Sequence, residues 1–87
     1  MQPDGIVRLS HIEVYPEFLD VYLGCATEVG TVLLQTETGV LTMYAFQDKN
    51  DSCKITILET YASQEAYKCH IASDHFQKYT KDTFHMV

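Results

Sequence analysis

The chain has 87 residues, 46% of them hydrophobic and 11% aromatic, and its twelve acidic residues against six basic ones give a formal charge of -6. That length allows one small domain whose limited core is commonly supplemented by self-association, and the composition is that of a folded chain rather than a disordered one. The acidic balance excludes a nucleic-acid backbone as partner, because phosphates would be repelled over most of the surface and Arg8 is the only arginine.

No apolar run approaches the roughly 18 residues needed to span a bilayer, and Met1-Gln2-Pro3-Asp4-Gly5 lacks the basic start of a secretory signal. The expectation is a cytoplasmic protein without membrane association. Cys25, Cys53 and Cys69 are odd in number and have no C-x-x-C spacing, so they read as free thiols rather than a disulfide framework or zinc site. Cys25 and Cys69 are expected on apolar helix faces, where cysteine behaves as a small hydrophobe.

In chain order, the β-branched and apolar run Ile6 to Val14 predicts a first strand, ended by Pro16. Proline suits a helix start, where its missing N–H would be unpaired anyway. From Phe18 to about Gln35, the residues Phe18, Val21, Tyr22, Cys25, Val29 and Val32 recur at three- and four-residue steps, the stripe of an amphipathic helix that Thr36-Glu37-Thr38-Gly39 ends. Val40 to Gln47 and Lys54 to Tyr61 predict a hairpin joined by the polar turn Asp48-Lys49-Asn50-Asp51-Ser52. Ser63 then caps a short helix and Ser73 a second one carrying Phe76 and Tyr79. The order β-α-β-β-α-α is α+β, a ferredoxin-like split β-α-β whose last strand is missing or truncated. Residues 1–87 read as a single domain with a core at about 6–83.

The residues with chemical potential are concentrated between Leu58 and Tyr79. Strand alternation puts Ile57, Glu59 and Tyr61 on one face, so Glu59 has apolar company and must be hydrogen-bonded, paired or kept protonated. The first two outcomes make it structural, the third a proton carrier. On the next helix Ala66 and His70 share a face, and an imidazole at a pocket wall can take a proton from a phenol or hydroxyketone and return it. His75 opens the following turn. No metal site is expected from the two histidines, since five-residue spacing does not align them on one helix and no carboxylate stands at a matching offset. Tyr44, Tyr61, Tyr67 and Tyr79 fit either an aromatic pocket with hydroxyl tips or an ordinary core.

Gly39-Val40-Leu41 after an acidic helix end, followed by Glu59-x-Tyr61-x-Ser63-x-Glu65-Ala66-x3-His70-x2-Ser73-x-His75-Phe76, resembles the antibiotic biosynthesis monooxygenase superfamily, including members assigned as quinol monooxygenases. The resemblance implies a dimeric α/β barrel, in which the sheets of two subunits pack face to face and each subunit keeps a pocket between sheet and helices. It also implies a fourth strand after the last helix, where this chain has only Phe84-His85-Met86-Val87. Haem degradation in this superfamily depends on a strand asparagine, a tryptophan and a helix histidine; here Ser10 and Thr80 stand at two of those places and there is no tryptophan. What the resemblance leaves is cofactor-independent oxidation, by dioxygen, of a quinol or other electron-rich phenol in a homodimer. In that expectation His70 is the base and Glu59 sets the orientation of the histidine or of a tyrosine. Tyr61 and Tyr44 position the ring, with Tyr67, His75 and Phe76 completing the binding wall, and no cofactor or metal takes part. An isomerase of a small hydroxycarbonyl compound and a non-catalytic small-molecule binding module are the alternatives.

Overall fold

The alternating segments become one three-stranded antiparallel sheet in a computed structural model, which describes residues 5–87. The reading of Met1 to Asp4 as lacking a basic leader lies outside the described residues. Strands β1 (Ile6–Glu13), β2 (Val40–Gln47) and β3 (Lys54–Tyr61) are ordered β1-β3-β2, with helices α1 (Leu19–Thr36), α2 (Gln64–Ala72) and α3 (Asp74–Thr83) between and after them. This is the expected β-α-β-β-α-α order. A 3₁₀ turn at Pro16–Phe18 leads into α1. After α3 the described residues form no fourth strand; a second 3₁₀ turn at Phe84–Met86 follows, and the Met86 carbonyl accepts the Tyr15 N–H at 2.8 Å.

Burial follows the two-residue period on β3: Ile55, Ile57 and Tyr61 are buried toward the helices while Thr56, Leu58 and Thr60 are not. The helix stripe differs from the expected one. Tyr22, Val29 and Leu33 of α1 are buried, whereas Val21 is exposed, because the helix turns its Tyr22, Ala26, Val29, Leu33 line to the sheet. The core falls into two clusters, one of Val14, Tyr22, Ile55, Ile57 and Met86, the other of Leu33, Val40 and Tyr61.

Two local features decide what reaches the space between sheet and helices. The β2–β3 register jumps between Val40, opposite Tyr61, and Thr42, opposite Thr60, so Leu41 is an extra residue in β2. A single extra residue inverts the facing of everything after it. Met43, opposite Glu59, therefore faces the helices, while Tyr44, opposite Leu58, faces away. The second feature is Gly39, where a Cβ would come within 2.4 Å of Ala66 Cβ. The missing side chain lets α2 lie against the end of α1 and the start of β2. Ala62 N–H seals this corner by donating to the Gly39 carbonyl at 2.8 Å.

Candidate functional site

Sheet and helices enclose a cavity of about 270 Å³. Its walls are mainly apolar, from Ile12, Met43 and Ile57 on the sheet, Ala26, Val29 and Leu33 on α1, and Phe76 on α3. Arg8, Ser10, Glu59, His70 and Tyr79 supply the polar groups. A larger groove of about 460 Å³ crosses the hairpin end of the sheet past His11, Glu13, Asp48 and Lys54. Those four residues are exposed, so the groove offers no buried polar group around which a ligand would order. A site with a few convergent polar groups in an apolar wall is the better candidate.

His70 is placed by capping. Ser63 accepts the Ala66 N–H at 3.1 Å and starts α2; Ser73, in extended backbone, ends it and starts α3 by accepting the Phe76 N–H. Between these caps His70 is 3% exposed, with its ring 4.7 Å from the Phe76 ring and 5.5 Å from that of Tyr61. Its Nδ1 lies 3.0 Å from Glu37 Oε2 and its Nε2 3.9 Å from Glu59 Oε2. Glu59 in turn accepts a hydrogen bond from the Tyr61 hydroxyl. Burial pushes the Tyr61 phenol well above its ordinary range, and the hydrogen bond and charge of Glu59 push it the same way. Tyr61 therefore stays a donor that fixes Glu59.

Glu37 was not singled out by the sequence. It follows the last residue of α1 in extended backbone, its N–H on the Leu33 carbonyl at 2.8 Å, and its side chain accepts from both His70 and His75. Burial alone would raise its carboxyl, but the hydrogen bonds from His70 and His75, with their charge, hold it below the usual carboxylate range. The only signal in the sequence was an acidic residue two before Gly39 at a helix end. The residues it joins are 33 and 38 positions away, which no local pattern encodes.

The expected site residues separate into groups. His70, Glu59 and Phe76 line the cavity, with Tyr61 behind Glu59. Tyr44 does not belong to it: the bulge at Leu41 sends it to the opposite face, where it is 56% exposed and stacked on Phe46. Tyr67 lies outside the cavity, its hydroxyl accepting from Arg8 Nη1 at 2.6 Å and its ring edge-on to Tyr61. His75 points to Glu37 and lines a crevice between α1 and α3 with Cys25 and Val29. Tyr79, one of the four tyrosines expected of a pocket or core, does line the cavity, its hydroxyl paired with that of Tyr22 at 2.6 Å; residues that reasoning from sequence missed are Arg8 as a wall, Ser10 and Met43.

The objection to a metal site also needs correction. His70 and His75 belong to different helices, so their spacing is not a helical offset, and Glu37 is the carboxylate that the sequence seemed to lack. The ligand atoms of Glu37, His70 and His75 lie within 4.8 Å of one another. Among the cysteines, Cys69 is exposed rather than packed on an apolar face, and all three are free thiols.

The fold has known relatives. The family model described as antibiotic biosynthesis monooxygenase matches residues 6–82. A Bacteroides thetaiotaomicron protein provisionally named as such a monooxygenase is 44% identical, with a TM-score of 0.94 over 97% of this chain and 80% of its own. A provisionally named monooxygenase from Lactobacillus acidophilus is 24% identical with a TM-score of 0.95, and this chain spans 99% of itself but 41% of that one. A Caulobacter crescentus structure, also provisionally named an antibiotic biosynthesis monooxygenase, shares the fold at 20% identity, TM-score 0.92, over 97% of this chain and 79% of its own. No curated protein matches. No helix among the described residues is long and apolar enough to cross a membrane.

Proposed function

Because the chain belongs to the antibiotic biosynthesis monooxygenase family, we propose that it is a cofactor-independent monooxygenase that oxidises a quinol or other electron-rich phenol in the cavity between sheet and helices. The observation that carries this reading is the position of His70, buried at the cavity wall with Nδ1 on a carboxylate and Nε2 toward the interior. Glu37 accepts from Nδ1–H, which fixes the tautomer with a free lone pair on Nε2 and stabilises the imidazolium once a proton arrives. Nε2 takes the phenol proton, and the electron-rich phenolate reacts with dioxygen. One oxygen atom enters the ring and the other leaves as water. Going from quinol to hydroxyquinone releases the four electrons that reduce the dioxygen, so no external reductant is required. Met43, Val29, Leu33 and Phe76 keep water from the reactive intermediate. Glu59 and Tyr61 act as positioning residues, a fixed acceptor and its donor beside the Nε2 edge.

The working form in this proposal is a homodimer. Val7, Leu9, Leu41, Tyr44 and Phe46 are each half exposed. Val7 and Leu9, with Tyr44 and Phe46, lie on the sheet face away from the helices, an apolar surface that a second copy can cover.

Oxygen uptake with a panel of hydroquinones tests the chemistry. His70→Ala should lower turnover by about 10²- to 10⁴-fold, the usual worth of a positioned general base. Equal uptake in both proteins removes His70 from the mechanism. Turnover of a hydroxyketone without oxygen uptake supports the isomerase alternative instead.

A further inference from the structure

We propose that Glu37, His70 and His75 form a binding site for a divalent transition metal ion, and that occupation of this site removes His70 from service as a base. The second half rests on the function proposed above; the first does not. The three donors come from separate elements, the residue after α1, the buried side of α2 and the first turn of α3, and converge to within 4.8 Å. Two imidazoles and one carboxylate are a nitrogen-rich set that suits zinc, cobalt, nickel or ferrous iron rather than magnesium or calcium, which prefer oxygen.

Filling the site needs the three donors to even out their spacing. Donors around a tetrahedral ion at about 2.0–2.1 Å stand about 3.3 Å apart. Glu37 Oε2 is already 3.0 Å from His70 Nδ1 and in hydrogen-bond contact with His75 Nε2. An ion would replace two shared hydrogens, push Glu37 away from both rings and draw together the two imidazole nitrogens, which stand within 4.8 Å of each other. Entry does not pass through the cavity, since the Glu37 and His75 side chains keep 14% and 22% of their surface exposed.

The coupling follows from the two nitrogens of one ring. An ion on Nδ1 takes the lone pair there, and the hydrogen that Nδ1 carried moves to Nε2, the edge toward Glu59 and the cavity. That nitrogen then donates and cannot accept a substrate proton. No proton is lost from the ring; it only changes place.

Calorimetric titration of chelator-treated protein with zinc chloride and cobalt chloride tests the site, with magnesium chloride as control. One zinc ion should bind per chain, with affinity falling by about ten-fold or more in His75→Ala and in Glu37→Gln, and magnesium should give no heat. Absence of zinc binding, or binding undiminished in both variants, overturns the site. Should either variant fail to fold, nitrogen NMR of the wild-type imidazoles decides, because zinc must shift both His70 and His75. The same spectra read the switch: His70 must change to the Nε2–H tautomer when zinc is added, and retention of the original tautomer overturns it. With an active quinol substrate, zinc should suppress oxygen uptake and a chelator should restore it. A protein inactive on every quinol would sink the proposed oxidation while leaving the titration and the tautomer fully decisive.

Discussion

Of the two faces of the sheet, the one under the helices buries Ile55, Ile57 and Tyr61 yet makes room for Ser10 and Glu59, whereas the outer one leaves Val7, Leu9, Tyr44 and Phe46 half exposed. Polar groups thus stand where water is scarce, and large apolar groups where it is plentiful. Each arrangement is costly for an isolated chain, since a buried polar group needs a partner and an apolar patch orders water. The inner face meets its cost with a hydrogen-bonded series, Tyr61 to Glu59 and His70 to Glu37, and no buried side-chain polar atom lacks a partner among the described residues. The outer face has no comparable internal remedy. The difference teaches that the inner face is built to be specific and the outer face to be covered.

The largest way to break the inner arrangement is at Gly39. An alanine there meets Ala66 Cβ at 2.4 Å, and Ala66 is fixed to the α2 backbone, so the helix must move rather than a side-chain tip. Gly39→Ala should cost about 1–3 kcal/mol in urea unfolding, the usual range for overpacking. Moving α2 also draws His70 from Glu37, so oxygen uptake should fall further than stability does. A variant as stable as wild type shows that the corner has slack, and the close approach would lose its role in placing His70.

The outer face is tested by charge. Tyr44→Lys together with Phe46→Lys should leave the folded monomer within about 0.5 kcal/mol of wild type, since both residues are half exposed. If the outer face is the dimer interface proposed above, light scattering should give a dimer mass for the wild type and half that mass for the double variant. An unchanged mass assigns the interface elsewhere, and the two faces would then no longer differ in the way argued.

How far these faces could be foreseen depends on the range of the interactions that set them. The bounds of β2 and β3 and the caps Ser63 and Ser73 were legible because alternation and capping act within a few residues. Tyr44 was misplaced because Val40-Leu41-Thr42 contains no glycine or turn residue to mark an irregularity, and only pairing with β3 reveals Leu41 as a bulge. Glu37 escaped notice for the same reason at longer range. Its partners arrive on two later helices, and their convergence depends on the gap at Gly39. The family pattern located His70 and Glu59 in the chain but said nothing of which carboxylate each histidine nitrogen would meet.

The smallest expected effect comes from the phenols of the inner side. Burial, followed by the hydrogen bond to Tyr79, raises the Tyr22 phenol far above its ordinary range; burial does the same for Tyr61 and, less strongly, for Tyr79. In the unfolded chain these groups ionise near about pH 10. Above that pH the folded protein therefore holds more protons than the unfolded one, and stability must fall as pH rises, while below it the contribution of the neutral phenols is complete. The urea midpoint should thus be flat from about pH 8 to about pH 9 and decline by about pH 11. Replacing Tyr22 with phenylalanine should flatten part of that decline, because it removes the phenol that burial and the hydrogen bond to Tyr79 keep protonated. A decline that persists undiminished in Tyr22→Phe would place the alkaline sensitivity outside this pair and leave the inner face less tightly sealed than its burial implies.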